Sequence, residues 1–530
     1  MKRAIAILVS LLLILPTGLT ACGGGTATNE GSSTATLEQA TNSAAAEVAE
    51  EQAIPISIML PGKPEITAEN DRVFAELEKR TNTKLTINSP GWDVYNDKVN
   101  LAVSSGELPD IICCIDNNSR TLLDGWIQNG TIIPFSDEML AAAPDIMKEY
   151  EQTAYYNELT VDGKIFFQPI WWNAAPYPNR GLFHARKDLL DEQGIDVTKL
   201  DTLEDVYNAM KQLKSKGTYG LIYGGGGIPD LAGIAGAYGL PFNGWIKDSA
   251  GEYVFANVQP GMKEGLKWLR KLYTEKLLDP ESPTIKQEQA EQKYFSGKAG
   301  FIIWNGGGHT SRFQDSIRKL NPKGEDYVLP APAGPDGKRG YLQEPSFWAV
   351  SMITGKAKDP VAAAKFLNYL VSEEGQLLAD FGIEGIHYTK SADGTITINK
   401  EERAKETKEH WDGDRYHMLA SEFVGWVDQK YQDWWSFYGK DKSFVDWYSQ
   451  MWDNQGKFQT PNEIMLTSTP KWTAFLQAST DLQNEYFTKI VLGKGDPDKL
   501  FAEYVDTWNK AGGADASKEM SDTAKKLKAN

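Results

Sequence analysis

Ile54-Pro55-Ile56-Ser57-Ile58-Met59-Leu60 is the stretch at which this chain becomes a folded protein. It is short and almost wholly apolar, with isoleucine at 54, 56 and 58, and reads as a buried strand. An alternation then begins. Asp71 to Lys79 carries Val73, Phe74 and Leu77 at helical spacing, and Thr83 to Ile87 alternates as a strand. Val94 to Leu101 is helical again, and Leu108 to Cys114 is a third strand. The order β-α-β-α-β predicts an α/β fold, a parallel sheet covered by helices on both faces. Leu122 to Gln128 reads as a short helix and Ile165 to Trp172 as another strong strand. The Pro/Asn/Gly-rich run Asn173 to Gly181 interrupts, and a second α/β series starts at Leu182-Phe183. In it, Thr202-Leu203-Glu204-Asp205 has the form of a capping box, and Ala299 to Trp304 and Phe347 to Met352 read as strands. Asp359-Pro360 opens a helix through Leu370, and beyond residue 390 the chain is mostly helical.

Toward the amino terminus the composition is different. Lys2 and Arg3 precede an apolar run, Ala4 to Leu15, which is too short to span a bilayer as a helix. It has the length and flanks of an exported signal segment, 1–21. Leu19-Thr20-Ala21-Cys22 closes it and resembles the lipobox of bacterial lipoproteins, in which the cysteine is acylated and becomes the first mature residue. Residues 22–53 are then nearly all small or polar and read as a disordered, lipid-anchored linker. These features place the protein outside the cytoplasmic membrane, held by lipid on Cys22.

The 530 residues exceed what one core serves, so two large lobes are expected. A net charge of −17 argues against nucleic acid and against docking on anionic lipid. Besides Cys22 there are only Cys113 and Cys114, on a strand read as buried, so neither a disulfide framework nor zinc spacing is present. The sequence contains no P-loop, no Gly-x-Gly-x-x-Gly after a strand and no Gly-x-Ser-x-Gly elbow. The five histidines do not pair at i, i+3 or i+4. No cofactor or metal is expected, and the protein is not read as an enzyme. Abundant carboxylates keep one alternative open, a surface glycan-processing hydrolase or lyase. A glycan-sensing lipoprotein without transport is another.

Several motifs together resemble the extracellular solute-binding lipoproteins of sugar-importing ABC transporters, especially the large oligosaccharide and alginate binders. They are Ser104-Ser105-Gly106-Glu107-Leu108-Pro109-Asp110-Ile111, Phe183-His184-Ala185-Arg186-Lys187-Asp188-Leu189-Leu190, and Phe295-Ser296-Gly297-Lys298-Ala299-Gly300-Phe301. Ala362-Ala363-Ala364-Lys365-Phe366-Leu367-Asn368-Tyr369-Leu370, followed by Glu374-Gly375, and the turn Gly382-Ile383-Glu384-Gly385 complete the set. The resemblance runs from residue 54 to about 390. It implies a two-lobed periplasmic-binding-protein-like fold with crossover hinge strands near Pro169 and Leu329-Pro330. One lobe would be 54–170 and 330–385, the other 171–329 and 386–530 with a helical carboxyl-terminal part. It also implies a monomer that presents a carbohydrate to the permease subunits of an importer. Some relatives carry an acidic calcium loop where this chain has Lys214-Ser215-Lys216-Gly217-Thr218-Tyr219, so no calcium is expected there.

A sugar site needs flat aromatic platforms and polar groups in the plane of the ring. Trp304 ends an apolar strand before Asn305-Gly306-Gly307-Gly308, and ligands sit beyond the carboxyl ends of strands in open α/β sheets. Trp304 is therefore the expected platform, with Asn305 as donor and acceptor. Trp171 and Trp172 flank the first crossover, with at most one facing the cleft. Asp116 and Asn117 follow the third strand, where the family places hydroxyl-binding residues. The resemblance also carries Lys63 and Glu384 to ligand positions. Trp92, Trp348 and Trp426 complete the candidates. The other carboxyl-terminal tryptophans mostly fall at buried-helix spacing.

Overall fold

In the computed structural model, the described residues are 52–61, 67–91, 94–114, 120–152, 160–171, 177–224, 228–306, 308–344, 347–406, 440–464 and 467–529. The signal segment, the linker and Cys22 lie outside them.

The first sheet is laid down by β1 (Ile54–Met59), β2 (Thr83–Asn88) and β3 (Ile111–Cys114), with β1 central and parallel to both others. The helices Arg72–Thr81 and Tyr95–Ser105 connect them, as the alternation predicts. Asp71 caps the first helix by accepting from the Phe74 amide at 2.8 Å, and Asn82 ends it in the left-handed conformation at φ 49°. Asp110 ties β1 to β3, accepting from the Ser57 amide at 2.7 Å and the Ser57 hydroxyl at 2.5 Å. Burial pushes its carboxyl up, but these bonds and the Lys358 amide outweigh burial and hold it below its usual value.

A short hairpin, β4 (Thr160–Val161) and β5 (Lys164–Ile165), precedes β6 (Gln168–Trp171), which joins the first sheet at its far edge. The second sheet consists of β7 (Leu182–Arg186), β8 (Tyr219–Ile222), β11 (Ala299–Trp304) and β12 (Asp326–Val328), in the order β12-β7-β11-β8. The hairpin β9 (Trp245–Lys247) and β10 (Tyr253–Phe255) lies beside it in sequence. Then come β13 (Tyr341–Leu342) and β14 (Phe347–Ile353), and β14 inserts between β3 and β6 of the first sheet.

Both sheets are mixed, not purely parallel. β14 runs antiparallel to β3 and β6, and β7 antiparallel to β11 and β12. In each case the reversed strand is the first one formed after the chain has come across from the other sheet. β14 thus runs opposite to the strands β1 and β3 already laid down in the first sheet, and β7 opposite to the strands that join it later in the second.

Each sheet has its own buried core. One runs from Ile56 to Leu378 and the other from Leu182 to Ala524. Two stretches pack elsewhere than a division at 330 and 386 would have them. Ala331, Tyr341 and Leu342 are buried with the second sheet. The hairpin β15 (Tyr388–Lys390) and β16 (Ile396–Ile398) packs on Leu377 and Phe381 of the helix Glu373–Phe381, which belongs with the first. Past it, Arg72 pairs with Glu406 at 2.5 Å and Glu402 at 3.1 Å.

After the helix Lys442–Gly456, β17 (Gln459–Thr460) pairs with β13, and the helices Pro470–Leu492, Pro497–Trp508 and Ala514–Ala529 close the second core. Among the tryptophans expected to be core, Trp508 is buried and donates from Nε1 to Ser479 at 2.8 Å, and Trp472 packs edge-on against Trp245. Cys113 and Cys114 are both buried, as the strand reading expects.

Candidate functional site

Among the described strands the chain leaves β6 at Trp171 for β7 at Leu182 and returns from Leu342 to Phe347; after Glu406 it goes over once more to the second core, at the helix Lys442–Gly456. The first two passages meet in an antiparallel bridge between Tyr177 and Glu344, where the Tyr177 amide donates to the Glu344 carbonyl at 3.2 Å. The Tyr177 ring stacks on Trp452, with centroids 4.5 Å apart and planes 10° apart, and its hydroxyl donates to the Trp452 carbonyl. A Cβ at Gly456 would stand 2.7 Å from that ring, so a glycine is what admits the tyrosine. On the other flank Arg180 donates to Asp230 at 2.9 Å and pairs with Glu344 at 3.6 Å. Glu344 is only 15% exposed. Burial pushes its carboxyl up to about 7, an effect that Arg180 partly offsets.

A second constellation stands at the carboxyl end of β11. His184, fully buried on β7, donates from Nε2 to the Asn305 carbonyl at 3.1 Å, while its Nδ1 lies 2.9 Å from Asp326. The Tyr294 hydroxyl donates to the other Asp326 oxygen at 2.6 Å. The Gly306 amide donates to the Asn179 carbonyl at 3.0 Å, and a Cβ at Gly306 would fall 2.2 Å from the Gln455 side chain. The loop after β11 is thereby fastened to the first passage and to the helix Lys442–Gly456. His309 follows it; burial, and then the Arg312 charge, push its ring down to about 4, so it is neutral at neutral pH.

Against this geometry the sequence candidates divide. Trp304 does end β11 at the predicted place, but its ring is 9% exposed and packs on Phe313 with centroids 5.8 Å apart. It is seated in a core cluster, and stacking on a ligand would require the ring to leave Phe313. Asn305 is half-buried and fixed through its carbonyl. Glu384 is exposed on the turn after the helix Glu373–Phe381. That turn reaches the start of the helix Arg72–Thr81, where His387 Nε2 lies 3.2 Å from Arg72. It therefore stands at the carboxyl end of β1, the edge at which an α/β sheet receives ligand. Trp171 ends β6 and Trp348 lies on β14, next to one another in the sheet. Lys63, Trp92, Asp116, Asn117, Trp172 and Trp426 lie outside the described residues. Among the described residues, no group of three or more His, Cys, Asp or Glu could hold a metal ion.

Sequence reasoning missed Tyr177, Glu344 and the His184–Asp326–Tyr294 group. His184 carried a usable signal, a polar residue inside the apolar run Leu182 to Ala185, because a buried polar group there must be partnered. Glu344 carried none, since nothing local marks a carboxylate that is buried by another passage of the chain.

Comparison with known proteins agrees with this architecture. Residues 63–377 match the family model described as "Bacterial extracellular solute-binding protein". Among curated proteins, the polygalacturonan/rhamnogalacturonan-binding protein of Bacillus subtilis (strain 168) is 26% identical over 360 residues, 63% of this chain and 67% of that one. A lipoprotein of the same organism is 23% identical over 510 residues, 88% of this chain and 91% of that one. Among solved structures, an S. pneumoniae ABC-transporter substrate-binding protein in complex with kestose shares the fold, with a TM-score of 0.64 at 18% identity over 90% of this chain and 100% of that one. The match spans more than half of the chain, with all of the second βαβ series, both passages between the sheets and the loop after β11: the chain belongs to the bacterial extracellular solute-binding protein family.

Proposed function

We propose that this protein is the carbohydrate-capturing component of an ABC importer, a monomer held outside the membrane by lipid on Cys22. It takes up an oligosaccharide between two lobes, closes over it, and presents the closed form to the permease subunits. One lobe carries the first sheet with the hairpin β15–β16, and the other carries the second sheet with the carboxyl-terminal helices. The hinge is the pair of passages that meet at Tyr177 and Glu344. This meeting is the observation that carries the proposal, because two adjacent connections, with a third leading from Glu406 to the helix Lys442–Gly456, let two separately packed cores rotate about the line on which the passages meet. The relatives whose names specify a ligand name sugars or glycans, which supports carbohydrate as the solute. The chemistry proposed is binding, with no bond made or broken.

A printed array of oligosaccharides probed with the mature protein tests the ligand class, and mass spectrometry of each retained glycan tests the absence of turnover. Retention of one glycan class, recovered intact, is expected. Shortened or unsaturated products would instead establish the glycan-processing alternative.

A further inference from the structure

Where the first two passages meet, two carboxylates share one cation. Arg180 pairs with Asp230 at 2.8 Å and with Glu344 at 3.6 Å. When both acids are ionised, one negative charge is left uncompensated. Water relieves it little. The Glu344 and Asp230 side chains are 15% and 22% exposed, and Glu344 Oε2 is buried with no hydrogen-bond partner among the described residues. A charge held in this way is costly, and a proton on Glu344 removes the cost. The titratable group on the other side of the bridge is Tyr177, with Asp453 and Tyr448 acting on its hydroxyl. Burial pushes that hydroxyl up, so it stays protonated and adds no charge.

The three groups are not anchored alike. Asp230 accepts from the Ala232 amide at 2.9 Å, and the Gly233 amide donates to the Gly181 carbonyl at 3.2 Å. Leu182, Leu231 and Ala232 are buried in the second core, so Arg180 and Asp230 are fixed to that lobe. Glu344 instead lies on the connection itself, between Leu342 of the second core and Phe347 of the first. A rotation of the lobes about this meeting turns Glu344 against a stationary Arg180–Asp230 pair.

We infer that Glu344 is a proton-operated latch on the hinge: protonated, it holds the lobes in the arrangement described above, and ionised, it lets them rotate. The inference rests on the two-lobed hinge proposed above and adds its regulation by pH. The direction follows from the surroundings of the carboxyl. Ordinarily near 4.5, it is pushed up to about 7 by burial, which Arg180 and the Asn179 backbone offset in part and Asp230 reinforces. A rotation that wets the carboxyl returns it toward its ordinary value. The arrangement described here therefore binds the proton more tightly. Its advantage is fully present below about 4.5 and is lost as pH rises through about 7.

The test puts a fluorescent donor and acceptor on Lys79→Cys and Lys199→Cys, exposed positions on the first and second lobes, in the mature Cys22→Ala protein. Cys113 and Cys114 are buried and do not compete for label. Energy transfer in the free protein is followed from pH 5 to pH 8. With Glu344 present it is expected to change along one titration. Glu344→Gln, which imitates the neutral acid, should stay at the low-pH value throughout. Asp230→Asn keeps the capping oxygen and removes the like charge, and should move the midpoint down by about half a pH unit or more. Thermal melts at pH 5 check folding, and if Glu344→Gln melts early the Asp230→Asn displacement is read in its place. Transfer that ignores pH but responds to a glycan identified on the array overturns the latch and leaves the hinge standing. The same titration in Glu344→Gln, or a midpoint that Asp230→Asn does not lower, also overturns the latch. Transfer that responds to neither pH nor saturating glycan overturns the hinge, and the latch with it.

Discussion

Trp304 and Glu344 show how burial decides what a side chain can do. Trp304 lies at the end of an apolar strand before a glycine-rich loop, and that position marks it for display to a ligand. Its ring is instead packed on Phe313 with 9% exposure. Trp304→Ala is therefore expected to destabilise the free protein by about 3–5 kcal/mol, read from denaturant melts. An unchanged melt would mean that the ring leaves the core. Glu344 is expected to make the hinge sensitive to pH. Its carboxyl, ordinarily near 4.5, is pushed up to about 7 by burial, with Asp230 and Arg180 facing it. The folded state thus holds a proton that the unfolded state releases. The associated stability is present at low pH and is lost as pH rises through about 7. Relative to Glu344→Gln, the wild type should lose on the order of 1–3 kcal/mol between pH 5 and pH 8. Parallel pH dependences of the two proteins would contradict the assignment.

At the scale of elements, close approach of backbones fixes how the second core is joined to its connections. The helix Ala232–Gly236 meets the strand entry at Gly340 so tightly that a Cβ on Gly236 would stand 1.7 Å from the Gly340 carbonyl. Gly236→Ala must displace one backbone and is expected to cost about 1–3 kcal/mol, measured by thermal or denaturant unfolding. A neutral effect would show that the helix shifts freely. Individual elements were well marked in the sequence. Ala299–Trp304 is a strand over the predicted residues, and Thr202 and Asp205 form the reciprocal capping box. The Asp359 cap and Pro360 start stand where they were expected. Periodicity and caps are local, and these features depend on nothing else. The reversed directions of β7 and β14, the burial of Ala331, Tyr341 and Leu342 with the second sheet, and the Tyr177–Glu344 bridge were not legible. Each depends on where a distant segment arrives, and no local pattern encodes that. Of the candidate site, the sequence offered an expected place, the ends of strands and the passages between sheets. Which side chains face a ligand there depends on packing such as that of Phe313 against Trp304.

For the whole molecule, location and movement are the two matters that function depends on. Cys22→Ala should leave folding and glycan binding unchanged and release the protein from the membrane fraction. Among the described residues, no helix is long and apolar enough to cross a membrane. Mass spectrometry of the wild type should find lipid on Cys22, and an unmodified cysteine would refute the anchor. Movement is what the proposed function requires: two separately packed cores, two of whose connections meet at one bridge, should close when a ligand touching both shifts the population toward the closed form. Small-angle scattering of the mature protein, with and without a glycan that the array identifies, tests this claim most directly. A smaller radius of gyration is expected at saturating glycan. An unchanged radius with the glycan demonstrably bound would contradict it, and would place the ligand in a rigid groove instead of between two closing lobes.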